Sequence, residues 1–172
     1  MAAQSWLTFK KSAIQSNLNL VLPPTLILLD STRPNVRTRT MVILSNFLDR
    51  IDETFLARTG LSEVFWTAML PNLSSVPPVT DIDDSVSLLR VTYPTMIKLA
   101  KIWYPSPPQR AVPLDTLVRD GVIYGMMFAG DKLKVAQVEL DALDLLVREM
   151  GIYFVKHLKV LPSGCRLLTY ST

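Results

Sequence analysis

The stretch Leu22 to Ile51, LPPTLILLDSTRPNVRTRTMVILSNFLDRI, constrains the chain most. It reads as two antiparallel helices whose apolar stripes are too wide for a single partner, so the pair needs neighbours on both sides. The first helix ends in the run Leu26, Ile27, Leu28, Leu29. Asp30, Ser31 and Thr32 then prefer caps and turns to helix interiors. Pro34 fits the first turn of the second helix, where its missing N–H costs nothing. Val36, Thr40, Leu44, Phe47, Leu48 and Ile51 recur at three- and four-residue steps, with Arg37, Arg39, Asn46, Asp49 and Arg50 largely between them. This is the pattern of a HEAT-type helical hairpin.

The pair recurs along the chain, punctuated by proline-rich connections. A linker helix around Thr54 to Arg58 is stopped by Gly60 as a C-terminal cap, and Leu61 to Leu70 forms a short helix. PNLSSVPPVT leaves the helix, and Asp81, Asp83 and Asp84 open a longer one, where their charge suits the positive end of the dipole better than a metal loop. That helix turns Val86, Leu89, Leu99 and Ile102 inward and is expected to kink or break at Tyr93-Pro94. A second connection, Tyr104 to Pro113, precedes Leu114 to Ala129 and Asp131 to Met150, with Gly130 as a left-handed cap and Asp131 as the next N-cap. In the last helix Leu133, Ala136, Leu140, Leu143, Val147 and Met150 are assigned to the core, widened by Val135, Val138, Ala142 and Leu146. Lys134, Gln137, Asp141, Asp144 and Arg148 take the solvent side, so Leu140→Asp, like Leu44→Asp, is expected to unfold the chain. Gly151 separates this helix from a further one, Ile152 to Leu161.

The expected fold is therefore all-α, a HEAT-like α-solenoid of about three helix pairs, with the completeness of the last pair left open. A compact helical bundle is the alternative, in which the first pair would touch the last. Residues 1–19 form an N-terminal segment that could belong to a preceding helix, 20–161 the repeat domain, and 162–172 an atypical polar tail.

Composition excludes several classes. The hydrophobic content of 49% supports a packed core, and a net charge of +3 gives no field like that of a dedicated nucleic-acid binder. One cysteine, Cys165, allows no internal disulfide, so cytosol or nucleus is the default compartment. No apolar run reaches the roughly 18 to 20 residues of a membrane span. The one histidine, His157, would have to serve any nucleophile–histidine arrangement, and one His with one Cys cannot build a zinc site. No phosphate-binding glycine loop is present, and Gly121, Gly125 and Gly130 suit close helix approach or capping. Neither a cofactor, a metal nor a small-molecule ligand is expected.

Arg33, Arg37 and Arg39 cluster where the first pair turns, and structural pairing of Arg37 with Asp30 is preferred to phosphate contact. Lys98 with Lys101, Lys132 with Lys134 and Lys156 with Lys159 read as ordinary solvated faces. The partner-facing candidates are Phe65, Trp66, Trp103, Tyr104, Lys156 and His157, although core packing is the stronger reading of the aromatics. The structural candidates are Asp30, Arg37, Gly60, Gly130 and Asp131.

The order RTGLSEVFWTAMLPNLSSVPPVT, SLLRVTYPTMIKLAKIWYP, LDTLVRDGVIYGMMFAG, LVREMGIYFVKHLKVL resembles fungal members of the Tel-two-interacting protein two family over roughly Leu20 to Leu161. The resemblance implies a non-catalytic α-solenoid scaffold, a subunit of the Triple-T (TTT) complex. Its implied partners are the Tel-two and Tel-two-interacting-one proteins, phosphatidylinositol-kinase-related kinases such as TOR, ATM and ATR, and the ninety-kilodalton heat-shock chaperone. It implies work in cytoplasm and nucleus, in telomere maintenance, DNA-damage signalling and growth control. The alternatives are a helical-repeat nucleic-acid binder, a generic interaction module and, least favoured, a hydrolase using His157. The chain is short for the family and PSGCRLLTYST departs from it after HLKVL. The expectation is a truncated, differently spliced or natural short form whose last repeat leaves an apolar face uncovered.

Overall fold

The computed structural model describes residues 18–159; the tail from Pro162, with Cys165, and most of the N-terminal segment lie outside them. The described chain is all-helical. Helix α1 (Leu18–Leu29) and α2 (Pro34–Leu48) form the first pair. Short helices α3 (Glu53–Thr59) and α4 (Leu61–Met69) follow, the latter tightening into a 3-10 turn over Leu70–Ser74. The long α5 (Ile82–Trp103) leads to α6 (Pro107–Thr116), which widens into a π-helical stretch, Leu117–Ile123, and resumes as α7 (Tyr124–Ala129). Helix α8 (Leu133–Met150) ends in a 3-10 turn, Gly151–His157, where a longer helix was expected.

Local chemistry accounts for most boundaries. Pro34 occupies the first turn of α2, and Gly60 stops α3 in the left-handed region at φ 69°. Asp52 accepts from the backbone N–H groups of Thr54 and Phe55 at 2.8 and 3.4 Å, and Asp81 accepts from Asp83 N–H at 2.9 Å. Two punctuation marks act differently from expectation. Helix α5 runs unbroken through Tyr93-Pro94: Pro94 is exposed, and so is Arg90, whose carbonyl receives no N–H from the proline. Part of the connection from Tyr104 to Pro113 is helical, because Pro107 and Pro108 occupy the first turn, where proline is tolerated.

Helix α5 is the hub. It packs against α2 on one side and α8 on the other, and also touches α3, α4 and α6. Helix α1 lies against α2 and α4, and α7 lies against α8. Among the described residues, no substantial contact joins the first pair to α8. The α2 stripe is buried as expected at Thr40, Leu44 and Leu48, with Ile51 just beyond it.

Helix α8 is rotated from its expected setting. Its buried residues are Val135, Ala136, Val138, Glu139, Ala142, Leu146 and Met150, whereas Leu133, Leu140 and Val147 are exposed. Two apolar stripes competed for the core, and the stripe with the smaller side chains won. It lets α8 approach α5 and α7 closely around a buried polar pair. There the Tyr93 hydroxyl, on α5, donates to Glu139 Oε2 at 2.5 Å. A Cβ at Gly121 would lie 2.7 Å from the Tyr93 oxygen, and one at Gly125 would overlap Glu139 Oε1. The two glycines, one turn apart, therefore leave the space that the pair fills. Burial raises the Glu139 carboxyl to about 8, with the Tyr93 hydrogen bond opposing. Burial and the neighbouring carboxyl push the Tyr93 hydroxyl well above its usual range.

Two outcomes follow from this packing. Leu140→Asp leaves the chain folded, whereas Leu146→Asp, at a fully buried position, unfolds it, since a buried unpaired carboxylate costs several kcal/mol against a total of about 5 to 15; circular dichroism and thermal melts distinguish the two. Because the folded carboxyl of Glu139 binds its proton more tightly than the unfolded one, its contribution is fully present below about pH 4.5 and is lost as pH rises to about 8. The loss is on the order of 5 kcal/mol. Urea titrations between pH 5 and 9 should show that fall, and Glu139→Gln should flatten it.

Candidate partner-binding surface

The six residues singled out for partner contact divide into separate environments. Phe65 is core: its ring meets Phe47 edge-on at 5.9 Å, and 2% of the residue is exposed. Trp66, also buried, packs against Trp103 at 6.2 Å, and Trp103 stacks on Tyr104 at 4.9 Å. Only Trp103 and Tyr104, at the C-terminal end of α5, keep half-exposed edges. Lys156 and His157 are engaged within the chain. His157, itself buried, is 2.7 Å from Asp115 Oδ1, and Lys156 ion-pairs with the other oxygen of the same carboxylate. Asp115 on α6 thus clamps the terminal 3-10 turn, with the Phe154 ring beside the imidazole.

The structural candidates also depart from expectation in part. Arg37 forms no ion pair with Asp30: its Nη1 donates to Asn72 Oδ1 at 3.2 Å and to Ser75 Oγ at 2.9 Å, anchoring α2 to the turn after α4. Asn72 is buried and needs a donor for its oxygen, which the guanidinium supplies more directly than it can serve an exposed carboxylate. Burial lowers the Arg37 guanidinium from its usual value, and the charge of Asp30 opposes that shift. Gly60 caps α3 as expected. Gly130 is right-handed at φ −65°, so no left-handed cap forms; a Cβ there would strike the Met126 carbonyl. Asp131 does not cap α8. Its carboxylate takes a hydrogen bond from Lys132 Nζ, which holds it below the usual carboxylate range, and Lys132 occupies the cap position.

Lys98, Lys101 and Lys134, read as solvated faces, bridge helices, whereas Lys132 pairs with the adjacent Asp131. Lys98 reaches Asp49 at 2.8 Å and Ser45 Oγ at 3.0 Å, both at the end of α2. Lys101 pairs with Glu149 on α8, and Lys134 on α8 with Asp83 at the start of α5, at 2.7 Å. Each is a surface pair of modest worth, screened by solvent.

Several large apolar side chains remain open on the surface. On α1, Leu20 and Ile27 are each 72% exposed, and on α8 Leu133 is 82% exposed. Met127 and Phe128 on α7, and Ile152, Val155 and Leu158 at the end, are exposed as well. An open depression of about 610 Å³ between α1 and α4 is floored by Leu26, Val64 and Ala68, with Asp30 and Glu63 at its edge. Sequence reasoning missed the outward turn of Leu133, Leu140 and Val147, and Glu139 inside the competing stripe pointed the other way, since an acidic residue ordinarily marks a solvent face. Among the described residues, no group of three or more His, Cys, Asp or Glu side chains could hold a metal ion. No helix there is long and apolar enough to cross a membrane.

No solved structure matches the chain. The model of the Tti2 family matches residues 3–169, nearly its whole length, and so the order of helices and connections read from the sequence has a family to which it belongs: this chain is a member of the Tti2 family.

Proposed function

We propose that the chain is a non-catalytic scaffold subunit of the Triple-T complex. It would join the Tel-two and Tel-two-interacting-one subunits in supporting the folding, assembly and stability of phosphatidylinositol-kinase-related kinases of the TOR, ATM and ATR type. The observation that carries this reading is family membership across residues 3–169. The proposed architecture is a HEAT-like solenoid, supported by α2, α5 and α8 packing in chain order while the first pair makes no substantial contact with α8. Such a stack buries its middle and leaves apolar flanks at its ends, and large exposed apolar surface is a mark of association. Work with the heat-shock chaperone, in both cytoplasm and nucleus, belongs to the same proposal.

Binding would then rest on surface complementarity, with no residue asked to do chemistry. Affinity purification of the tagged chain from its own cells, followed by mass spectrometry, tests the reading. The other Triple-T subunits and related kinases should be recovered, and the paired variant Leu20→Asp with Ile27→Asp should reduce recovery at least about tenfold with unchanged helicity. A folded chain that recovers none of these proteins overturns the proposal, and steeply salt-dependent retention of DNA or RNA would replace it with the nucleic-acid reading.

A further inference from the structure

Helix α4 spends one stripe, Leu61, Phe65, Trp66 and Met69, on the core. A second stripe, Glu63 with Thr67 and Val64 with Ala68, each pair four residues apart, lines the depression beside α1, and Pro71 extends it by one more turn. Leu26 and Asp30, also four apart, line it from α1. The depression of about 610 Å³ thus combines an apolar floor, Leu26, Val64 and Ala68, with two carboxylates at its edge.

Those carboxylates are exposed, and among the described residues neither has an ion-pair partner, whereas Asp49, Asp83, Asp115, Asp131, Asp144 and Glu149 each have one. No lysine or arginine lines the depression. Arg37, whose position follows the same turn, gives its Nη1 to Asn72 and Ser75 instead. The whole chain carries a net charge of +3, so the negative field here is local, and the apolar floor beside it concentrates that field. A small-molecule site would place a few polar groups inside an enclosed cavity. Here the depression is open and its charges stand at the edge, which suits the side chains of a segment lying across it.

We propose that the depression between α1 and α4 is a docking groove for an amphipathic helix of a partner protein, one that lays an apolar stripe on Leu26, Val64 and Ala68 and carries lysine or arginine toward Asp30 and Glu63. Apolar anchors at three- and four-residue steps supply the contact in this mode of recognition. The two carboxylates select a basic helix over an acidic one. The groove is small, and affinity is accordingly weak, with a dissociation constant on the order of micromolar.

The test is fluorescence anisotropy of a labelled synthetic helix of leucine and lysine, and of its counterpart with glutamate in place of lysine, titrated with the purified full chain. Its outcome is independent of whether the Triple-T reading holds. The lysine helix should bind, less tightly as salt is raised, and the glutamate helix should not. Asp30→Lys combined with Glu63→Lys should weaken the lysine helix by more than about tenfold and admit the glutamate helix, with unchanged circular dichroism. Asp30→Asn with Glu63→Gln, which keeps the size of both side chains, should weaken it as well, and so should Val64→Asn on the floor. Asp141→Lys, at an exposed acid on α8, should change nothing. Absence of binding at high micromolar concentration, binding that survives the paired charge changes or Val64→Asn, or an equal loss with Asp141→Lys would overturn the proposal. Self-association of the chain that the same paired changes abolish would overturn it too, by giving the groove to a second copy.

Discussion

The Tyr93–Glu139 pair is the constraint around which the second half of the molecule is arranged. A hydroxyl and a carboxyl are placed at the centre of α5 and α8, and both helices must keep them away from water. Glu139 Oε1 has no hydrogen-bond partner among the described residues, so a charged carboxylate there would leave an uncompensated anionic oxygen. The neutral acid is the form compatible with burial, in keeping with its raised protonation range. Gly121 and Gly125 complete the arrangement by withholding the Cβ atoms that would collide with the pair.

From this centre the packing extends outward through α5. Its two sides are buried against different helices, and Lys98 and Lys101 reach α2 and α8 respectively. Arg37 performs a related task between α2 and the turn after α4, where it satisfies Asn72 and Ser75. The Asp115 clamp on Lys156 and His157 closes the C-terminal end. Polar groups at these junctions specify which helix meets which, while the apolar side chains supply most of the burial.

The same arrangement explains why the candidate interaction surfaces lie where they do. Helix α5, packed against five other helices, has no exposed leucine, isoleucine or valine, whereas such residues are exposed on α1, α8 and the terminal turn and, in smaller number, on α2 at Val42 and Ile43. The aromatic residues that had suggested a binding patch are largely consumed in joining α4 to the end of α5, with only the edges of Trp103 and Tyr104 left open.

Features governed by neighbours along the chain were legible in the sequence: the all-helical class, Pro34 at the start of α2, Asp81 at the start of α5, Gly60 at the end of α3 and the buried stripe of α2. So was the family, because the order of many weak motifs carries what none of them carries alone. Capping and helical periodicity are short-range physics, decided within a turn or two. Tertiary structure alone decided which of two apolar stripes on α8 faces inward, because that choice depends on Tyr93, 46 positions away, and on the space left by Gly121 and Gly125. It likewise sent Arg37 to Asn72 rather than to Asp30, and His157 to Asp115 rather than outward. A stripe of hydrophobic residues states that a helix has a face to bury, but only the shape and polarity of the helices opposite determine which face that is.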